Sequence, residues 1–137
     1  MTSIILDASV AAAALFQEEY SPAARNILKS NDELLAPEFL HVEIANVIWK
    51  RYRRNEIEES DVLKFFVDVQ SLPITLLATN VLLSPAIRLA IKSGRTVYDC
   101  LYLALAIRKK GILISADRRF VNGVTDRDLR KYVRFIV

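Results

Sequence analysis

Short apolar runs alternating with helix-patterned segments constrain this chain more than any other feature. Strands are predicted over 3–6, 33–36, 73–77 and 112–115, with a fifth at the edge over 133–136. Between them the apolar spacing becomes helical. Helices are predicted from Ala8 to Phe16, from Ser21 to about Lys29, from Pro37 to about Arg54, from Ser60 to Ser71, from Val81 to Lys92 and from Val97 to Lys110. Ser21-Pro22 reads as an N-cap followed by a first-turn proline, and Pro85 leaves the first turn of its own helix open. Gly94 ends that helix, and Gly111 is the expected cap of the next, which is apolar on nearly every face and therefore buried. Strands alternating with helices predict a parallel sheet covered on both faces.

A chain of 137 residues is expected to form one domain, 1–137, around a single core. Hydrophobic content of 53% is too high for disorder, yet charge interrupts every apolar run. None approaches the ~18 residues of a membrane span. Met1-Thr2-Ser3 carries no basic region ahead of an apolar stretch, so no secretory signal is expected, and the single Cys100 suits a reducing cytoplasm. The net charge is only +3, but the cations are clustered. Lys50, Arg51, Arg53 and Arg54, and then Arg108, Lys109 and Lys110, end helices, where they complement the macrodipole. Arg118 and Arg119 follow Asp117 directly, where a phosphate backbone would need them.

Four acids stand out by position. Asp7 closes the first strand, Asp117 follows the fourth, Glu43 lies early in a helix, and Asp99 opens the buried one. In a parallel sheet the carboxyl ends of the strands share one edge, where sites gather. Carboxylates converging there repel one another unless cations hold them, which points to a hard metal, Mg²⁺ or Mn²⁺. Taken singly, each acid has a plainer explanation. Asp7 and Asp117 suit N-caps, Thr96-x-x-Asp99 suits a capping box, and Glu43 suits a solvated helix position. Asn46 and Lys50 share the helix face of Glu43, while Ser9 and Ser115 put hydroxyls near the same edge, as turn chemistry or as support for the acids.

Other chemistries lack their parts. His41 is the only histidine and falls on a different helix face from Glu43, so neither a zinc cluster nor a Ser-His-Asp triad is supported. With three glycines there is no GxxxxGK[ST] or GxGxxG phosphate loop. Cys100, Trp49 and Tyr52 are expected to be packing residues, with a groove as a second place for Tyr52. A haloacid-dehalogenase-type phosphohydrolase would need a second aspartate two residues after Asp7, where Ser9 stands. A receiver domain would need its acceptor aspartate at the end of a middle strand and paired acids at the first.

The segments IILDASV, PEFLHVEIANVIWK, TVYDCLYLALA and ILISADRRF, in that order, cover essentially the whole chain. Together they resemble the PIN-domain nucleases, and within these the VapC-type toxins of prokaryotic toxin–antitoxin pairs. The resemblance implies a three-layer α/β/α sandwich whose parallel sheet of four to five strands has the order 3-2-1-4-5. It also implies that Asp7, Glu43, Asp99 and Asp117 form a Mg²⁺ or Mn²⁺ site, with Ser9, Ser115 and Asn46 in the family's small polar positions. The implied activity is endonucleolytic cleavage of RNA in the cytoplasm, with Arg118 and Arg119 as candidates to hold the RNA backbone. The implied partners are a second copy of the chain and an antitoxin. The alanine-rich Ala8–Phe16 and the partly apolar Tyr20–Leu28 are a candidate groove for the antitoxin, with packing of the two helices on the sheet as the plainer reading. A PIN-like scaffold that binds RNA or protein without cutting is the alternative, although such a scaffold is expected to have lost acids that this chain keeps.

Overall fold

The computed structural model describes residues 2–137. Its elements are β1 (Ser3–Leu6), α1 (Ala8–Leu15), α2 (Ser21–Leu28), β2 (Glu33–Pro37), α3 (Phe39–Arg53), α4 (Glu59–Gln70) and β3 (Thr75–Leu77). After a 3-10 turn at Thr79–Leu82 come α5 (Leu83–Ser93), α6 (Val97–Lys109), β4 (Ile112–Ser115), α7 (Arg118–Gly123), α8 (Arg127–Arg130) and β5 (Val133–Phe135). The five strands form one sheet in the order β3-β2-β1-β4-β5, and every pairing is parallel. Helices flank it, as the alternating pattern predicts.

The order places a topological switch between β1 and β4. From β1 the chain winds outward to β2 and β3, then returns to lay β4 on the other side of β1. Connections leaving two neighbouring strands in opposite directions open a crevice beyond their carboxyl ends. Ile4 pairs with both Leu34 and Ile112, and Leu6 pairs with Ile114. Asp7 and Ser115 therefore follow from adjacent strand ends.

The core lies in two layers, one on each face of the sheet. Ile5, Leu35 and Leu113 point into the larger layer with Leu40, Ile44 and Ile48 of α3 and Leu101 and Leu105 of α6. Ile4, Leu6, Leu34 and Ile114 point into the smaller one with Val10 of α1 and Ala24 of α2. Central strands buried on both faces are why these runs are continuously apolar rather than alternating. In α6 every residue from Cys100 to Ala106 is buried, as its all-round apolarity predicts.

Local chemistry departs from expectation in several places. The left-handed cap of α6 is Lys110, with φ of 52°, and not Gly111. Gly111 is small for another reason: a Cβ there would sit 2.3 Å from the Ser3 carbonyl oxygen on β1. Ser21 is the first residue of α2 rather than its cap, which is Tyr20. The Ser21 hydroxyl instead donates to the Phe16 carbonyl at 2.8 Å and accepts from the Glu18 amide at 2.8 Å, closing the α1–α2 turn. β3 begins at Thr75, not at Pro73. The segment expected to be helical from Val81 starts as the 3-10 turn, with Pro85 in the first turn of α5. The alanines of α1 are not a free groove, because Val10, Ala11, Ala12 and Ala13 are buried in the packing. Trp49 and Tyr52 are exposed by 48% and 41%, so neither is a core residue. Trp49 falls off the Leu40, Ile44 and Ile48 stripe, while Tyr52 continues that stripe but stands in the last turn of α3. Cys100 is buried, as expected.

Candidate functional site

All four acids line one pocket of 240 Å³ at the carboxyl edge, together with Ser9, Tyr102 and an apolar wall of Ala8, Ala12, Val47 and Phe120. Each is delivered by a different element. Asp7 directly follows β1 and caps α1, its Oδ1 accepting from the amides of Ser9 at 3.1 Å and Val10 at 3.2 Å and from the Ser9 hydroxyl at 2.5 Å. Asp117 caps α7 in the same way, accepting from the Arg119 amide at 3.0 Å and the Phe120 amide at 3.2 Å. Asp99 sits in the first turn of α6, where its own amide donates to Thr96 Oγ1 at 3.1 Å. Glu43 comes from one turn into α3 and accepts a hydrogen bond from the Tyr102 hydroxyl. The capping roles and the convergence on one pocket coexist, since a cap fixes a carboxylate by its backbone while leaving lone pairs open.

Two hydroxyls join the junctions. Ser9 Oγ accepts from the Ala116 amide at 2.8 Å and lies 3.3 Å from Ser115 Oγ, which in turn accepts from the Asp117 amide at 3.0 Å. The Asp7 and Asp117 turns are thus tied to each other across the switch point. Asn46 and Lys50 do not line this pocket. They lie with Phe39, Trp49 and Tyr98 along an adjoining groove that meets it at Ala8, Glu43 and Val47. Arg118 and Arg119 do not line it either. The Arg118 guanidinium is stacked over the Phe135 ring, 3.9 Å from its centroid.

Two residues that the sequence reading passed over touch the acids. Arg95 Nη2 lies 3.5 Å from Asp99 Oδ2. Its guanidinium also approaches the Phe120 ring and crosses the face of Gly123, where a Cβ would meet Nη1 at 2.4 Å; its Nε is buried without an acceptor. Tyr102 is the other. Tyr102 stands three residues after Asp99 within α6, a helical spacing that was a usable signal, whereas Arg95 lies in the loop between α5 and α6, where no periodicity marks it.

The electrostatics are those of crowded, partly dehydrated carboxylates. Burial pushes Asp7 above its usual 3.8, against the Ser115 and Ser9 hydroxyls and the Val10 and Ser9 amides, which favour the charged form. Burial also raises Glu43; the Tyr102 hydroxyl lowers it, while the charges of Asp7 and Asp99 raise it further. Asp99 is raised chiefly by burial too, opposed by Arg95 and Thr96 and reinforced by Asp117. With the proton affinity higher folded than unfolded, the metal-free fold is penalised progressively as pH climbs from about 4 through the raised values, and the penalty stays above them. Asp99→Asn, which removes one of these charges, is therefore expected to melt higher than the parent in chelator at pH 7–8, by ~2–5 °C. The gap is expected to narrow in Mg²⁺. A lower melting point with no response to the ion would leave Asp99 a helix-start residue only.

The donor set fits a hard divalent cation: carboxylate oxygens, raised proton affinities and one nearby guanidinium against four acids. Among the described residues no three such side chains are already drawn into a closed ligand cluster.

The family profile described as PIN domain matches residues 4–123. Ribonuclease VapC3 of Pyrobaculum aerophilum is 32% identical over 120 residues, which span 85% of this chain and 90% of that protein. Among solved structures, PAE2754 of Pyrobaculum aerophilum is similar with a TM-score of 0.71 at 21% identity, over 90% of this chain and 81% of its own. VapC20 of Mycobacterium tuberculosis, a sarcin–ricin loop cleaving toxin, is similar with a TM-score of 0.65 at 17% identity, over 87% and 93% respectively.

Proposed function

This chain belongs to the PIN-domain family, and on that premise we propose that it is a Mg²⁺- or Mn²⁺-dependent endoribonuclease, the toxin of a type II toxin–antitoxin pair. The observation that carries the proposal is the meeting of Asp7, Glu43, Asp99 and Asp117, from four separate elements, in one pocket at the switch point. The 32% identity to a ribonuclease over most of the chain supports the reaction class. Likeness in fold to a toxin supports the biological setting.

In this reading the four carboxylates are the metal ligands. A bound Mg²⁺ or Mn²⁺ supplies Lewis acidity toward the phosphodiester and makes water a usable nucleophile near neutral pH. The chain's own residues supply the frame. Ser9 and the α1 amides fix Asp7, the α7 amides fix Asp117, Thr96 fixes the turn that carries Asp99, and Tyr102 fixes Glu43. Ala8, Ala12, Val47 and Phe120 narrow the pocket and lower its water content, which strengthens every charge interaction in it. No histidine is needed as a base, and His41 lies against Phe66 instead. Arg119, exposed beside Asp117, is placed to meet an RNA backbone outside the pocket, and Asn46 and Lys50 are placed to meet it along the adjoining groove.

The same reading has the chain working in the cytoplasm as a homodimer restrained by an antitoxin. Among the described residues no helix is long and apolar enough to cross a membrane. Exposed apolar side chains on α3 (Val42, Trp49), α5 (Ile87, Ile91) and α6 (Tyr98) supply surface for protein partners.

The test is cleavage of a panel of structured and single-stranded RNAs by antitoxin-free protein. Chelator is expected to abolish cleavage. Mg²⁺ or Mn²⁺ is expected to restore it, and Ca²⁺ to do so poorly, because its looser coordination positions water less well. Cleavage that continues at full rate in chelator would refute the metal dependence.

A further inference from the structure

The α3 and α6 helices are linked beside the pocket by two contacts at matching spacing. Phe39 and Tyr98 stack with centroids 5.3 Å apart and planes 11° from parallel. Four residues on in each helix, Glu43 accepts a hydrogen bond from the Tyr102 hydroxyl. Residues four apart lie on the same helix face, so the two contacts are successive rungs between one pair of faces. The upper rung is at the surface, with Tyr98 60% exposed, and the lower is inside, with Tyr102 2% exposed. α3 packs chiefly on α4 and α1 rather than on α6. Besides the apolar layer that both helices share, these two rungs tie the helix of Glu43 directly to that of Asp99 at the pocket.

The lower rung has a chemical consequence. The Tyr102 hydroxyl engages Oε1 of Glu43, and Oε2 has no donor among the described residues. Because Tyr102 is buried among the large apolar layer, its hydroxyl has little freedom to turn away. That bond takes up one lone pair of Oε1 and fixes the plane of the carboxylate, leaving Oε2 the more open of the two oxygens to a cation. Ions differ in how they respond to that. Ca²⁺ takes 6–8 oxygens and often uses carboxylates through both, whereas Mg²⁺ holds to octahedral geometry and takes carboxylates one oxygen at a time.

We propose that Tyr102 is a positioning residue that disfavours ligation through both oxygens of Glu43, and thereby raises the preference of the pocket for a small octahedral ion over Ca²⁺. The proposal rests on the metal-site reading above and deepens it. Tyr102 touches neither ion nor RNA; it acts through Glu43.

The experiment is calorimetric titration of the full chain with Mn²⁺ and, separately, Ca²⁺, comparing the parent with Tyr102→Phe and Tyr98→Ala. The phenylalanine keeps the ring and its packing and removes only the hydroxyl. Losing that donor also raises the proton affinity of Glu43, which weakens every divalent ion alike, so the ratio of Ca²⁺ to Mn²⁺ affinity is the informative readout. In Tyr102→Phe the ratio is expected to rise ~10-fold, in the range that outer-sphere partners of metal ligands command. Tyr98→Ala breaks the outer rung and leaves the hydroxyl, so its ratio is expected to match the parent. An unchanged ratio in Tyr102→Phe overturns the proposal while leaving the metal site standing. An equal rise in Tyr98→Ala also overturns it, since general loosening of the helix pair would then be the cause. A parent that binds neither ion overturns the metal-site reading and this inference with it.

Discussion

Asp7→Asn is expected to lower RNA cleavage by at least ~100-fold while the protein still folds, a loss at or beyond the upper end of what removing a mere supporting partner of a metal ligand costs. The choice of asparagine separates two roles that the position combines. As an N-cap, Asn serves about as well as Asp, so its side-chain oxygen can still accept from the Ser9 and Val10 amides and start α1. What disappears is the negative charge, and with it an anionic oxygen for a divalent ion. Asp99→Asn is expected to behave alike, because Thr96 and not Asp99 supplies the capping oxygen of α6. The same variant is expected to be more stable than the parent without metal, as argued above, so activity and stability should move in opposite directions. Turnover of the RNA panel in Mn²⁺, with a thermal melt of each variant, checks both. Parent-level cleavage in either variant would leave these acids as helix starts and nothing more.

Gly111→Ala is the structural change with the largest expected effect, a loss of about 3 kcal/mol. The added methyl would lie 2.3 Å from the Ser3 carbonyl oxygen and 3.1 Å from Ile5 Cδ1. That carbonyl belongs to β1, whose pairing with β4 begins at Ile4 and Ile112, so relief requires the two central strands to part. The strands in question carry Asp7 and the Asp117 turn, and catalysis is expected to fall with stability. Gly94→Ala is the comparison: nothing lies within 4 Å of its Cβ, but φ of 75° disfavours any side chain. Its cost is expected near 1 kcal/mol, from backbone conformation alone. Urea unfolding of the two variants in Mg²⁺ distinguishes a clash from a strained dihedral. Equal midpoints would mean that the β1–β4 pair accommodates the methyl without parting.

The elements were legible because their signals are local. Ile4-Ile5-Leu6 and Ile112-Leu113-Ile114 are short unbroken apolar runs bounded by polar residues or glycine, and the Cys100–Ala106 stretch is a longer one opened by Thr96 and Asp99. Length with flanking residues tells strand from helix without any distant contact. Turn chemistry was less legible. Gly111 looked like a left-handed cap because glycine so often is one, while Lys110 takes that conformation and the reason for glycine lies across the sheet on Ser3. Ser21 looked like a cap, and its hydroxyl turned back to the loop behind it. Trp49 and Tyr52 were expected to pack, but Trp49 lies off the buried stripe of α3 and Tyr52 stands in its last turn, and how far the core extends along a helix is decided by the whole layer.

For the site, the sequence by itself determined which acids stand at strand ends and helix starts, because strand-to-helix alternation sends those positions to one edge of a parallel sheet. The strand order was not readable from periodicity; it came from resemblance to a family and is met by the observed sheet. Only the tertiary structure decided what surrounds each carboxylate. Tyr102 reaches Glu43 across 59 residues of chain, Ser9 reaches Ala116 across 107, and Arg118 turns to Phe135 rather than to the pocket. Such contacts depend on how helices pack over a folded sheet. Hydrogen bonds and charges act over a few ångströms in space, and sequence distance says nothing about which side chains come that close.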